Sequence, residues 1–169
     1  MKSRFSFTVS FLFPILLLLW KSSPKEILIF LSAVLFHEAG HLLALYAFGY
    51  KAKKFSFSLS GAAITSDSSF IPYRKEVLIY LAGPLGNAVG MLIAFLLLRI
   101  DFTKEGMLLF FCNLLLFLFN LLPIRGLDGE RALSAYLSLF FEMDRCERYC
   151  HTVSNISLPL LFFFSLYLF

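Results

Sequence analysis

The sequence predicts an all-α polytopic membrane protein: a bundle of five transmembrane helices with a short membrane-associated β-hairpin after the second. Three observations predict it. The chain is 59% hydrophobic, with a mean hydropathy of +0.81, where soluble domains are about 45–50% apolar. Its 22 phenylalanines are more than a soluble chain of 169 residues normally buries. Five apolar segments, 5–20, 26–49, 76–99, 106–123 and 152–169, approach the length of about 20 residues that crosses a hydrocarbon core.

The first segment follows Lys2 and Arg4, the layout of a signal peptide. Lys21-Ser22-Ser23-Pro24 offers no small-residue cleavage site, so an uncleaved span is expected, kinked at Pro14. After the second segment, Lys53-Lys54-Phe55-Ser56-Phe57-Ser58-Leu59-Ser60 alternates apolar and small polar residues. A period of two marks extended chain, with Gly61 at the bend or bulge. The alternative is an interfacial loop with no partner. The third segment holds the small-residue run Ala82-Gly83-Pro84-Leu85-Gly86-Asn87-Ala88-Val89-Gly90, which lets helices approach closely. The fourth runs into Asn120-Leu121-Leu122-Pro123 and then Gly126-Leu127-Asp128-Gly129. The stretch 130–141 is too short to cross and is expected to lie in the interface. If it crossed, there would be six spans. Pro159 sits early in the last segment, where a helix tolerates it. The expected organisation is one membrane-embedded domain, 1–169, with its core at 26–135 and the interfacial helix and last span at 130–169.

Charge orients the bundle. With a cytoplasmic N-terminus, the inner segments carry Lys2, Arg4, Lys51, Lys53, Lys54, Arg74, Lys75, Arg125, Arg131, Arg145 and Arg148, eleven in all. The outer ones carry only Lys21, Lys25, Arg99 and Lys104. That imbalance sets the N-terminus in the cytoplasm. The net charge of +4 is therefore loop charge; no basic cluster with a nucleic-acid motif accompanies it, which excludes nucleic acid as a partner. Three cysteines, Cys112, Cys146 and Cys150, imply no disulfide framework. Cys146, Cys150 and His151 are expected to be ordinary interfacial side chains, since structural zinc wants four ligands at tighter spacing.

The second segment contains His37-Glu38-Ala39-Gly40-His41. Ionisable groups within a span are costly and call for a reason. Positions i and i+4 share a helix face, so both imidazoles can reach one zinc ion, with Glu38 beside a water that it can deprotonate. Zinc in a catalytic site needs a third protein ligand and an open position. Asp128, between glycine-containing turns at the inner end of the fourth segment, is the candidate. The second and fourth segments both run from outside to inside, so His37, His41 and Asp128 fall at similar depth toward the cytoplasm. Asn87 is either interhelical glue or a hydrogen-bond partner of the metal water or substrate. Asn120 is expected to orient the Asp128 segment, and Asn113, seven residues before it on the same face, to be packing glue. An unpaired strand edge near Gly61 could hold an extended substrate.

Phe36 to His41, Ala82-Gly83-Pro84 with Asn87, and Asn120-x-x-Pro123 with Leu127-Asp128-Gly129 together resemble the site-2 protease family of intramembrane zinc metalloproteases, peptidase family M50. The order and spacing of the motifs cover most of residues 30 to 135. The small size without a PDZ insertion resembles the sporulation-type minimal branch. The sequence departs from the family pattern at Gly126, where proline is usual, and at Glu130, where glycine is. The resemblance implies one Zn²⁺ held by His37, His41 and Asp128, with Glu38 as general base. It implies cleavage of transmembrane or membrane-anchored substrates, regulated intramembrane proteolysis, in a bacterial cytoplasmic membrane with the active site toward the cytoplasm. A regulatory membrane protein is an expected partner alongside substrate and lipid. The competing expectations are a non-catalytic membrane zinc-binding protein and an inactive scaffold.

Overall fold

The computed structural model describes residues 6–7, 22–50, 52–58, 61–66 and 71–168. Of the first predicted span only Ser6 and Phe7 fall within that set. They are extended and form β1; the rest of 5–20 lies outside the described residues.

Helix α1 runs Pro24–Ala47, two residues earlier than hydropathy alone places it. Its start is set by a capping box. The Ser23 amide donates to Glu26 Oε2 at 2.7 Å, the Glu26 amide donates to Ser23 Oγ, and Pro24 occupies the first turn. The helix ends at Phe48 and Gly49, the latter at φ +79°, a conformation glycine adopts freely.

Strands β2 (Ala52–Ser58) and β3 (Gly61–Ser66) follow. They pair antiparallel, with Ser58 opposite Gly61 and a register shift between Ala52 and Lys54. β1 pairs parallel with β2, giving the order β1-β2-β3. Gly61 thus opens a strand rather than forming the bend, and the irregularity sits near Lys53. The fold is helical apart from this small sheet.

Helix α2 (Tyr73–Ile100) has 28 residues, about 42 Å at 1.5 Å per residue. That exceeds a hydrocarbon core and requires tilt. Helix α3 (Lys104–Leu121) begins at Thr103, whose hydroxyl accepts from the Gly106 amide. Helix α4 (Asp128–Leu137) is short, and α5 spans Met143–Leu168. The predicted interfacial stretch 130–141 is therefore corrected: the helix starts at Asp128 and ends at Leu137, and a turn leads to α5. The predicted last span is the apolar half of α5. Among the described residues three helices, α1, α2 and α3, are long and apolar enough to cross a membrane.

α2 is the hub: α1, α3 and α4 all pack against it, and α5 packs on α4. The α1–α2 crossing is close because it is built from glycines. A Cβ on Gly40 would overlap the Ala82 carbonyl, and one on Gly86 the Phe36 carbonyl. The bundle places small and polar groups inside and large apolar ones outside. Asn87 and Asn113 are fully buried, while Leu28 and Leu35 are about two-thirds exposed. A soluble core would do the opposite; lipid takes the leucines here, and packing of small residues holds the helices.

Candidate metal centre

His37 and His41 lie one turn apart on α1 and both are buried. Asp128 is the first residue of α4 and is buried against them. The chain reaches it through Gly126 at φ +93°. Proline, locked near −65°, cannot adopt that φ.

Three ligand atoms converge. His37 Nε2 lies 2.9 Å and His41 Nε2 3.0 Å from Asp128 Oδ2. The two Nε2 atoms are 3.3 Å apart. Zn–N bonds of about 2.0–2.1 Å in a tetrahedron put ligands about 3.3 Å apart, so this triangle has the size of one tetrahedral face. The three residues form a group that could hold a metal ion.

The outer nitrogens decide which atoms face inward. The Asn87 side-chain nitrogen donates to the Ala33 carbonyl at 2.9 Å and to Asn113 Oδ1 at 3.0 Å. Its Oδ1 is thereby turned to His37 Nδ1, 2.8 Å away, which must donate. His41 Nδ1 likewise donates to the Ile79 carbonyl at 2.7 Å. Both neutral imidazoles then present bare Nε2 lone pairs to each other and to a carboxylate. A single proton would relieve one contact of this cluster; a divalent cation relieves all three. Such outer-nitrogen partners are what metal-binding histidines use to fix their tautomer.

Among the described residues, Glu38 Oε2 is buried without a hydrogen-bond partner. An orphaned carboxylate oxygen beside a histidine ligand fits a bound metal and its water, which would supply the missing partner. Gly83 leaves room for the rings: a Cβ there would overlap both His41 and His37. On the side of Asp128 and His41 opens a cavity of ≈ 70 Å³, lined also by Leu45, Ile71, Glu76, Ile79 and Tyr80. That is room for several waters.

The remaining predicted residues are placed as follows. Asn87 joins the cluster through His37. Asn113, expected as packing glue, holds Asn87 and donates to Leu109 one turn back. Asn120 donates to the Leu116 carbonyl in its own helix, a bond that orients nothing in the Asp128 segment. The backbone of that segment is instead held by α5: the Arg125 amide donates to Ser154 Oγ at 2.9 Å. Sequence reasoning missed Ser154, since a serine near the start of an apolar segment carries no signal of its partner. Gly61 lies in the sheet, in β3.

The chain is 28% identical over 127 residues to stage IV sporulation protein FB of Bacillus subtilis, covering 73% of this chain and 44% of that protein. It is 35% identical over 117 residues to zinc metalloprotease MJ0392 of Methanocaldococcus jannaschii, covering 66% of this chain and 34% of that one. It therefore spans less than half the length of these two curated relatives. Among solved structures, the site-2 protease from Methanocaldococcus jannaschii superposes with a TM-score of 0.70 at 20% identity, covering 97% of this chain and 81% of the other; at that identity the likeness is one of fold. The family model for peptidase M50B-like proteins matches residues 9–166, a stretch that holds both histidines, the orphaned glutamate and the distant aspartate, and the chain belongs to that family.

Proposed function

We propose that this protein is an intramembrane zinc metalloprotease that hydrolyses peptide bonds of transmembrane or membrane-anchored substrates. The observation that carries the proposal is the convergence of His37 Nε2, His41 Nε2 and Asp128 Oδ2 beside an orphaned Glu38 carboxylate. Relatives named as a zinc metalloprotease and a site-2 protease support it.

His37, His41 and Asp128 hold the metal, one Zn²⁺. Zinc, when bound, supplies a Lewis acid that polarises the scissile carbonyl and acidifies a water. Glu38 accepts the proton of the attacking water and returns it to the leaving amide nitrogen. Asn87 keeps His37 in the tautomer whose Nε2 faces the metal. Water reaches the buried site through the cavity beside Asp128.

A transmembrane helix hides its amides in hydrogen bonds and must unwind before attack. The open edge of β3 can take the unwound segment by strand addition, with the hairpin lying at the membrane. The whole chain then acts as one membrane-embedded domain. Its orientation follows the Lys and Arg distribution: N-terminus and metal toward the cytoplasm, in a bacterial cytoplasmic membrane. A membrane protein that controls access is the expected regulator.

The test is co-expression with a membrane-anchored reporter, wild type against Glu38→Gln. Cleavage by wild type and none by Glu38→Gln, with zinc retained in both, supports the protease. Equal cleavage by Glu38→Gln, or zinc without cleavage of any reporter, favours a zinc-binding protein without hydrolysis.

A further inference from the structure

Glu76 stands in the first turn of α2 and lines the cavity that reaches His41 and Asp128. The helix N-terminus favours an ionised carboxylate there, which explains why it is tolerated but supplies no partner. Among the described residues no hydrogen bond or ion pair to its carboxylate is found. The adjacent cation, Lys75, is engaged elsewhere, 5.5 Å above the Phe48 ring and 5.1 Å above the Tyr50 ring. Nor does the metal need Glu76, because Asp128 and Glu38 already offset the two charges of a zinc ion.

Ionisable groups at membrane depth are nearly always paired. The other acids of this region have assigned places: Glu26 caps α1, Glu38 faces the reaction and Asp128 holds the metal. Asp128 lines the same cavity but is engaged with His37 and His41, whereas Glu76 has no partner among the described residues. The walls beside it, Leu45, Ile71 and Ile79, are apolar. Apolar walls with an unpartnered carboxylate match a side chain that has an aliphatic stem and a cationic head. Membrane-anchored chains carry such residues abundantly at their cytoplasmic flank.

We infer that this cavity is a subsite for a basic side chain of the substrate, Lys or Arg, with Glu76 as its counter-ion; the inference rests on the protease function proposed above. Glu76 is thus a specificity-determining residue, and substrates are recognised by one cation close to the scissile bond.

The test uses full-length protein carrying Glu38→Gln, loaded with zinc in lipid nanodiscs, so that binding is read without turnover. The probes are fluorescent apolar transmembrane peptides with a single Lys placed in turn at successive positions of the cytoplasmic end. Matched peptides carry Leu or Glu at the same place. At one or two positions Lys should bind about tenfold more tightly than Leu, the effect expected of one charge-assisted contact. Adding Glu76→Gln should abolish that preference, and Glu76→Lys should transfer it to the Glu peptide. Retained one-to-one zinc shows that each variant is folded. Equal binding of Lys and Leu peptides at every position overturns the subsite, as does a Lys preference that survives Glu76→Gln. Cleavage of these peptides by protein with native Glu38 is scored separately. Cleavage without a Glu76-dependent preference overturns only the subsite; a preference without cleavage overturns only the protease.

Discussion

Asn87 Oδ1 lies 2.8 Å from His37 Nδ1, and both side chains are buried between α1 and α2. Because the Asn87 nitrogen is committed to Ala33 and Asn113, this contact has one direction: the imidazole donates. A pair of amides deep in the bundle, one on α2 and one on α3, therefore decides which nitrogen of His37 faces His41 and Asp128.

Asn87→Ala should lower zinc affinity about 10–100-fold, the usual cost of losing an outer partner of a histidine ligand. Asn113→Ala, one step further out, should cost less than Asn87→Ala. Competition against a zinc chelator gives both numbers. Unchanged affinity in Asn87→Ala would show that the His37 tautomer is set by something else.

The ligand and base residues should separate cleanly. His37→Ala, His41→Ala and Asp128→Ala should each lose stoichiometric zinc, measured by atomic absorption on purified protein. Glu38→Gln should keep its zinc and lose cleavage by about 10²–10⁴-fold. Zinc bound normally by Asp128→Ala would place the third ligand elsewhere.

Gly83→Ala adds one methyl where the His37 and His41 rings lie. Overpacking of this kind costs about 1–3 kcal/mol, and here the strain falls on the ligands themselves. Zinc affinity should drop more than thermal stability of the zinc-free protein does. The reverse order would mean that the helices, rather than the imidazoles, absorb the methyl.

Gly126 sits at φ +93° two residues before Asp128. Gly126→Ala should destabilise by about 1–2 kcal/mol through the left-handed conformation. Gly126→Pro, which cannot reach that φ, forces the loop into another conformation and should cost more stability than Gly126→Ala, with zinc still bound one to one. Loss of zinc in Gly126→Pro would show that only the left-handed turn places Asp128.

Chelation should leave the helices folded but lower the melting temperature, and added Zn²⁺ should restore it. Metal at about 100 times its dissociation constant contributes about 2.7 kcal/mol to stability. A melting temperature indifferent to EDTA and to zinc would count against a metal shared by α1 and α4.

Much of this protein is legible locally. Apolar length marks α1, α2 and α3, and the spacing of His37 and His41 puts both on one face, because helix periodicity needs only neighbouring residues. The start of α1 was missed: apolar length placed it at residue 26, and the structure caps it at Ser23. Asp128 stood out as a carboxylate at a glycine-flanked membrane boundary, although it is 87 residues from His41. The sequence by itself therefore determined α1, α2 and α3 as apolar spans and singled out His37, His41 and Asp128 as one group that could hold a metal ion. Only the tertiary structure decided how those ligands are oriented and what surrounds them. Asn87 became a partner of His37 rather than plain glue, Asn113 became its support, Ser154 rather than Asn120 took hold of the Asp128 segment, and Glu76 came to face a cavity beside the metal. Periodicity tells which face of a helix a residue occupies; which neighbour that face meets depends on how the helices cross, and here the crossing is set by backbone approaching backbone at Gly40, Gly83 and Gly86.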